Sequence, residues 1–414
     1  MRGRDLIIAT GSAFRDGKIV RGPQHIVVRG GRIAAVQAER LTIDGAETLD
    51  ASTATVLPGL IDAHVHLFDF KGITDAATMA EFVATGIEAR LRAFLANGIT
   101  TVKSCGDAED EVLIIRERID AGKLLGPRVL AVGPGLTAPR GHPAASVYAA
   151  NPWYSALAAA EVDKPQAARD VVRRLAEKGV DGIKLLYQGG CGHEEPYFFK
   201  SVMFPSQFQI FRLKETVMRA AIEEAHRWNL GVTVHTHEED RARTAVECGA
   251  NALEHGILRV PIADNGLVGL LRDRAVTVAP TLTIGRCHPV SLGNVKRMHD
   301  GGVGLALGTD LNQMFNDWGR CSIDEIEAMV RAGLTPAQAI DAATSGAARH
   351  IGRSDDLGSI APGKLGDLVV VDGNPVEDIA ALRRIVLVIK DGEVVIDNRT
   401  AARASVPGAR ERMN

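Results

Sequence analysis

Two histidines separated by one residue lie near the end of an apolar, strand-like run early in the chain. The run 57–67 reads LPGLIDAHVHL and contains His64 and His66. Because successive side chains of a β-strand point to opposite faces, His64 and His66 face the same way, and this spacing allows both imidazoles to bind one metal ion. Taken alone, the pair fits a metal site and two unrelated surface or core histidines equally well.

Further side chains that can bind a metal lie in four other strand-like segments, mostly at their ends. They are Lys184 in 182–187, His235 and His237 in 231–237, His255 in 252–256 and Asp310 in 304–310. For a single histidine, a hydrogen-bonded position in the core is the more common explanation. The same placement in several segments favours one shared site instead.

These segments belong to a pattern that predicts the fold. Between residues 56 and 356, short β-rich segments alternate for the most part with helix-like stretches; they are 60–67, 100–106, 128–136, 182–188, 231–237, 252–256, 277–283 and 304–310. Eight such units predict an α/β fold in the form of a (β/α)8 TIM-type barrel. Active-site groups of this barrel lie at the C-terminal ends of its strands, where the metal-binding side chains occur here.

The two ends of the chain differ from this middle part. Residues 1–55 and 357–414 contain short strand-like runs broken by glycine pairs and Asp-Gly turns, as in IVVRGGRIAAV (26–36) and IVLVIKDGEVVI (385–396). Neither end has enough strands to be stable alone, so we expect one small β-sandwich domain assembled from both.

Composition excludes several classes of function. The 414 residues carry a formal net charge of −3 and 24% charged residues, which gives no reason to expect a nucleic acid or an anionic membrane as partner. No apolar run is long enough to cross a membrane, and the N-terminal one is too short for a signal peptide. The five cysteines are scattered without a C-x-x-C pair. We expect a cytoplasmic protein with reduced thiols that acts on a small molecule.

Lys184 allows a particular chemistry. Its neighbours Ile183, Leu185 and Leu186 are apolar, and desolvation lowers the pKa of an amine and makes it nucleophilic. A neutral amine can capture carbon dioxide, and the resulting carbamate has two oxygens that can bridge two cations. The alternative is an ion pair between Lys184 and an acid of a loop at the barrel rim.

Together these residues resemble a known family. The block LPGLIDAHVH (57–66), His235, His255, the triplet GTD (308–310) and the tail LGSIAPGKLGDLVVVD (357–372) are similar to the amidohydrolase superfamily over nearly the whole chain. Within it, the chain resembles the imidazolonepropionase-related branch of metal-dependent dipeptidases and carboxypeptidases.

The resemblance implies a centre with two divalent ions, usually zinc. It places His64 and His66 on the more buried ion, His235 and His255 on the more exposed ion, N-carboxylated Lys184 as the bridge, and Asp310 on the buried ion and the nucleophilic water. Mononuclear imidazolonepropionases and deaminases lack the bridging lysine, so Lys184 counts against those activities.

Such ligands point to hydrolysis. Nitrogen and carboxylate ligands suit zinc, and a water shared by two cations gives hydroxide at neutral pH. Asp310 would take the proton and return it to the leaving amine. The expected reaction is cleavage of an amide in a dipeptide, an N-acyl amino acid or an aryl amide.

The loops must select the substrate. His142, in a Gly-His pair that the related branch also carries, is expected to hydrogen-bond the carbonyl of the scissile bond. Arg140 either binds a substrate carboxylate or is solvated. His237 and Tyr187 are expected to contact substrate. The aromatic-rich loop 189–208 is either a lid over an apolar substrate or a dimer contact or small local core. We also expect a homo-oligomer.

Two alternatives to an amidase remain. The same hydroxide would attack a phenylurea, carbamate, lactone or organophosphate. A non-catalytic barrel that serves as an assembly module predicts lost ligands, whereas all six ligand positions are filled here.

Overall fold

The computed structural model describes residues 5–190, 197–200, 207–258, 260–312 and 317–399, with the side chains of 197–200 and 207 left aside. Its strands, in chain order, are β1 (Leu6–Arg15), β2 (Lys18–Arg29), β3 (Arg32–Gln37), β4 (Glu47–Pro58), β5 (Leu60–Val65), β6 (Ile99–Ser104), β7 (Arg128–Ala131), β8 (Gly135–Thr137), β9 (Ala159–Glu161), β10 (Ile183–Leu186), β11 (Tyr197–Lys200), β12 (Gln207–Ile210), β13 (Val232–His235), β14 (Ala252–Glu254), β15 (Thr277–Ala279), β16 (Leu368–Asp372), β17 (Ile385–Lys390) and β18 (Glu393–Asp397).

The helices lie mainly between the strands of the middle region. They are α1 (Ala76–Glu81), α2 (Ile87–Ala96), α3 (Glu109–Asp120), α4 (Pro152–Ala158), α5 (Pro165–Glu177), α6 (Glu215–Arg227), α7 (Glu239–Glu247), α8 (Asn265–Asp273), α9 (Pro289–Asp300), α10 (Arg320–Arg331), α11 (Pro336–Asp341) and α12 (Ala347–His350). Within the described ranges, none of them has the length and apolar character needed to span a bilayer.

The middle strands form the predicted barrel. Strands β5, β6 and β7 pair in parallel, and β8, β10, β13, β14 and β15 continue the parallel pairing. The third barrel position is split between β7 and β8, which joins the two sheets. The segment 304–311 closes the ring through parallel bridges from Leu305 to Val278 and from Leu311 to Val65. The (β/α)8 prediction is therefore confirmed, although the eighth position pairs through single bridges.

Helices pack on the outside of this ring through their apolar faces. In α5, for example, Ala168, Val172 and Leu175 are buried, which is the i, i+4, i+7 spacing of one helix face. Pro165 stands at the first position, where the missing N–H costs nothing.

Strands from both ends of the chain share one seven-stranded sheet in the order β18-β17-β16-β4-β1-β2-β3. Its own apolar core contains Ile8, Ile26, Val56 and Val370, among others. Both ends contribute to this unit, as expected; the domain bounds 1–55 and 357–414 around a barrel at 56–356 stay a prediction.

Twelve of the twenty residues of the aromatic-rich loop 189–208 lie outside the described residues, namely 191–196 and 201–206. Strand β11 lies between these two stretches and pairs in antiparallel register with β12, which follows them, so these described residues form a two-stranded sheet.

Candidate metal centre and active site

The first cluster joins the first and last positions of the barrel. His64 is the next-to-last residue of β5, His66 directly follows this strand, and Asp310 belongs to the closing segment. The Nε2 atom of His66 lies 3.1 Å from Oδ1 of Asp310, and that of His64 lies 3.4 Å from the same oxygen. Potential ligand atoms of all three residues lie within 4.8 Å of one another. The geometry is therefore suited to one cation.

The closing segment is held against β5 by close packing and by Asp62. A Cβ atom on Gly308 would lie 3.0 Å from that of His64 and 2.9 Å from that of Ala279, so glycine permits the approach. The Asp62 carboxylate accepts hydrogen bonds from the backbone N–H and hydroxyl of Thr309 at 3.1 and 2.9 Å. Asp310 is thereby fixed opposite His64.

A second cluster contains His235, His237 and His255, whose potential ligand atoms also lie within 4.8 Å of one another. The ring centroids of His235 and His255 are 4.3 Å apart, and those of His235 and His237 are 4.6 Å apart. His237, which the sequence suggests for substrate contact, thus lies among the nitrogen donors.

Lys184 lies beside His64 of the first cluster and near enough to the second cluster for its charge to contribute to the lowered pKa of His235 and His255. Its side chain is 2% exposed, and its Nζ atom is 3.5 Å from Nε2 of His64. No carboxylate oxygen of the described ranges lies within 4.0 Å of Nζ, so the structure shows no ion pair with a rim acid. Burial lowers the pKa of Lys184, and the charges of Glu254 and Asp310 oppose this shift without cancelling it.

Two strand-end conformations mark the mouth of the barrel. His255 and Asp310 have φ values of 66° and 54°, in the left-handed region that non-glycine residues rarely adopt. Such backbone costs of order 1–3 kcal/mol and persists where the surroundings impose it, often at functional sites.

Each histidine of the second cluster contacts a polar partner. The amide oxygen of Gln188 accepts a hydrogen bond from Nε2 of His235 at 2.5 Å, which leaves Nδ1 of His235 with its lone pair. The amide nitrogen of Gln188 is 3.2 Å from Nδ1 of His237. Thr281 Oγ1 is 2.8 Å from Nδ1 of His255. Partners of this kind orient metal-binding imidazoles.

The protonation of these groups suits cation binding. Burial, followed by the nearby charges of His255 and His237, holds the pKa of His235 well below its usual range. Burial alone would raise the pKa of Asp310, but the charge of His64 and the hydrogen bond with His66 more than offset it and lower the pKa. A neutral His235 and an ionised Asp310 are the forms in which these side chains bind zinc.

The predicted substrate contacts divide into two groups. The His142 ring lies 4.8 Å from that of His235, and its Nδ1 is 2.8 Å from the hydroxyl of Ser146, so His142 joins the histidines. Arg140 is exposed, with its guanidinium 5.2 Å from the Phe211 ring. Tyr187 lies apart from the histidines, with its ring under Arg212 at 5.3 Å and its hydroxyl beside Thr244.

Sequence reasoning missed three residues that contact the clustered histidines. They are Gln188, Glu254 and Thr281. Each lies at or just past the end of a barrel strand, and this position was the available signal. Their residue types alone give no signal of a functional site, because glutamine, glutamate and threonine occur throughout the chain.

The fold and the clusters define a barrel hydrolase with a histidine-rich centre at the C-terminal ends of its strands. The sequence matches the model of the amidohydrolase family over residues 55–395, and the chain belongs to that family. This confirms the resemblance and identifies the protein as a metal-dependent hydrolase of carbon–nitrogen bonds that acts on small molecules.

Relatives of several named activities share the family. The chain is 28% identical to an imidazolonepropionase of Geobacillus kaustophilus over 95% of this chain and 91% of that protein. It is 27% identical to an ochratoxinase of Aspergillus niger, covering 78% and 71%. A crystal structure of a Xaa-Pro dipeptidase with bound methionine superposes with a TM-score of 0.78 and 26% identity, covering 94% and 99%.

Proposed function

We propose that the protein is a binuclear metal-dependent amidohydrolase that cleaves an amide in a dipeptide, an N-acyl amino acid or an aryl amide. The observation that carries this proposal is the pair of histidine clusters together with buried Lys184, whose Nζ lies 3.5 Å from His64 Nε2. A single zinc ion takes about four ligands, whereas the two neighbouring clusters contain six donor residues.

The donors divide naturally between two ions, for which zinc is the best match. His64, His66 and Asp310 would hold one, and His235 and His255 the other. Lys184 would bridge them as a carbamate: its neutral Nζ attacks the carbon of CO2, an N–C bond forms while the π electrons of one C=O bond move to oxygen, and one proton of the nitrogen is lost to solvent. A buried lysine without a described carboxylate partner supports this modification, since an unpaired ammonium is costly there.

The ions, when bound, supply Lewis acidity and a water of lowered pKa. Asp310 would accept the proton of the attacking water and pass it to the leaving amine. His142 would donate a hydrogen bond from Nε2 to the carbonyl oxygen, because its Nδ1 already faces Ser146. His237, which is 9% exposed, would contact the substrate beside His235.

Groups further out would select the substrate. Arg140 is exposed and would bind a substrate carboxylate, as dipeptides and N-acyl amino acids carry one. Tyr187 would support the site through its contact with Arg212 rather than by direct contact with the clusters. The lid role of segment 189–208, the cytoplasmic location and the homo-oligomer stay predictions.

Hydrolysis of a non-peptide substrate, such as a phenylurea, carbamate, lactone or organophosphate, is the second candidate. Two relatives have names that refer to imidazolonepropionate and ochratoxin rather than to dipeptides. Lys184 argues against the imidazolonepropionase activity itself.

Metal analysis and a substrate panel test the proposal together. We expect about two divalent ions per chain and loss of activity on chelation. Fewer than about one ion, with activity unaffected by chelators, would refute the metal mechanism. The panel should contain dipeptides including Xaa-Pro, N-acyl amino acids, aryl amides and aryl ureas, with amine release as the readout. Turnover of ureas or esters alone would favour the second candidate.

A further inference from the structure

Glu254 is a fully buried carboxylate beside the clusters that the hydrolysis leaves without a role. It ends β14, immediately before His255, and it contacts side chains from four other elements. These contacts are with His64 Nδ1 at 2.9 Å, Lys103 Nζ at 3.0 Å, Thr233 Oγ1 at 2.6 Å and His350 Nε2 at 3.3 Å.

The two oxygens of Glu254 have different neighbours. Lys103, Thr233 and His350 all contact Oε1, whereas Oε2 faces Nδ1 of His64. Rotation of the carboxylate would break three contacts at once, so the direction of Oε2 is fixed. Lys103 also balances the buried negative charge, which would otherwise be costly.

This arrangement decides which nitrogen of His64 is available. Oε2 and Nδ1 lie 2.9 Å apart without the alignment of a hydrogen bond, and the negative charge of the carboxylate at this distance favours the tautomer with the proton on Nδ1 and the lone pair on Nε2. That Nε2 atom faces Oδ1 of Asp310 at 3.4 Å and Nζ of Lys184 at 3.5 Å. The nitrogen directed at the first cluster is therefore the one able to bind a cation.

We propose that Glu254 is a positioning residue that selects Nε2 of His64 as the metal-binding atom and strengthens it as a donor. Lys103, Thr233 and His350 keep Glu254 in place. The inference rests on the proposed metal centre. Loss of such a partner typically weakens metal binding 10- to 100-fold.

Glu254→Gln is the direct test, because the amide has the same size but can donate to Nδ1 and so move the imidazole proton to Nε2. We expect one of the two ions to be held about 10- to 100-fold more weakly in competition with a chelator. Imidazole ¹⁵N spectra of the zinc-loaded protein should show the His64 proton on Nδ1 in the wild type.

The double variant Lys103→Met/Glu254→Gln covers the case in which an unpaired Lys103 prevents folding. It contains no unpaired buried charge, and the same loss of affinity is expected. The matched control is Glu224→Gln, which changes another buried glutamate, paired with Arg173 and Arg227 away from the clusters. It should leave metal affinity unchanged.

The outcomes separate this inference from the proposed function. If the wild type holds about two ions and either Glu254 variant holds them equally well, Glu254 merely neutralises Lys103; the inference is then wrong, while the proposed function stands. If the wild type holds fewer than about one ion, the proposed function fails and this inference fails with it.

Discussion

Replacing Lys184 with methionine is expected to change the stability of the protein in opposite directions without and with metal. The lysine side chain is 2% exposed and has no carboxylate within 4.0 Å in the described part of the chain. Methionine has a similar shape and no charge, so the metal-free variant no longer buries an amine. Replacing a buried charged group by an apolar one of similar volume is often neutral or stabilising, by about 1–4 kcal/mol.

The size of the effect follows from the length of the chain. An unfolding entropy of about 2.1 cal/mol/K per residue gives about 0.87 kcal/mol/K for 414 residues. A gain of about 2 kcal/mol therefore raises the Tm of the metal-free protein by about 2 °C. With free zinc at 100 times Kd, each ion stabilises the wild type by about 2.7 kcal/mol. The stabilisation by two such ions exceeds the gain of about 2 kcal/mol from the substitution. A variant that has lost both ions should therefore melt about 4 °C below the zinc-loaded wild type.

Differential scanning calorimetry of both proteins, after chelation and after reloading with zinc, measures the two shifts, and elemental analysis counts the ions. Lys103→Met is the matched control, since this lysine is also buried but its Nζ lies 3.0 Å from Oε1 of Glu254. It should lower the Tm of the metal-free protein, because it leaves a buried carboxylate unpaired. The reasoning is refuted if Lys184→Met behaves like Lys103→Met without metal, or if it keeps both ions.

Three further predictions concern single side chains. Gln188→Met should weaken retention of one ion about 10- to 100-fold in chelator competition, because His235 loses its acceptor, whereas Gln188→Glu keeps an acceptor and should bind more nearly as the wild type does. His142→Ala should lower kcat by about 10²–10³ without changing metal content; an equal loss of metal would contradict a role on the substrate carbonyl. Burial raises the pKa of Glu325 to about 7, above its usual 4.5, so the folded state binds more protons between these values. Stability should fall by about 3 kcal/mol as pH rises through this window, and denaturant unfolding of Glu325→Gln should lack that part of the slope.

The sequence predicted the barrel because strand-like segments and helices alternate with regular spacing, and it predicted the clustered residues because histidines end several strands. The structure brings together His64 and His66 from the first strand position of the barrel and Asp310 from the last, as the closed topology requires. The alternation of side chains along a strand also explains why Tyr187 lies away from the histidines. It is three positions after Lys184, hence on the other face of the strand, beside Arg212 rather than the histidines.

The partners of the histidines could not be predicted in the same way. Gln188 and Thr281 orient imidazoles through side chains that have no chemistry of their own, and their role depends on distances between strands far apart in sequence.

The strand order of the terminal sheet could not be predicted from the sequence either. Strand β1 pairs in parallel with β4, and β4 in turn pairs with β16 near the other end of the chain, so its order follows from long-range pairing.

The contact of the last barrel segment with β5 has a consequence for folding. Asp62 and Thr309 are 247 positions apart, and the donors of the first cluster lie on both sides of this junction. The junction forms only after nearly the whole barrel has been synthesised, so this cluster is completed last. A cation bound by His64 and Asp310, as we propose, would also cross-link the first and last strand positions of the barrel. Its removal should expose the backbone amides of this junction to hydrogen exchange before those of the other strands.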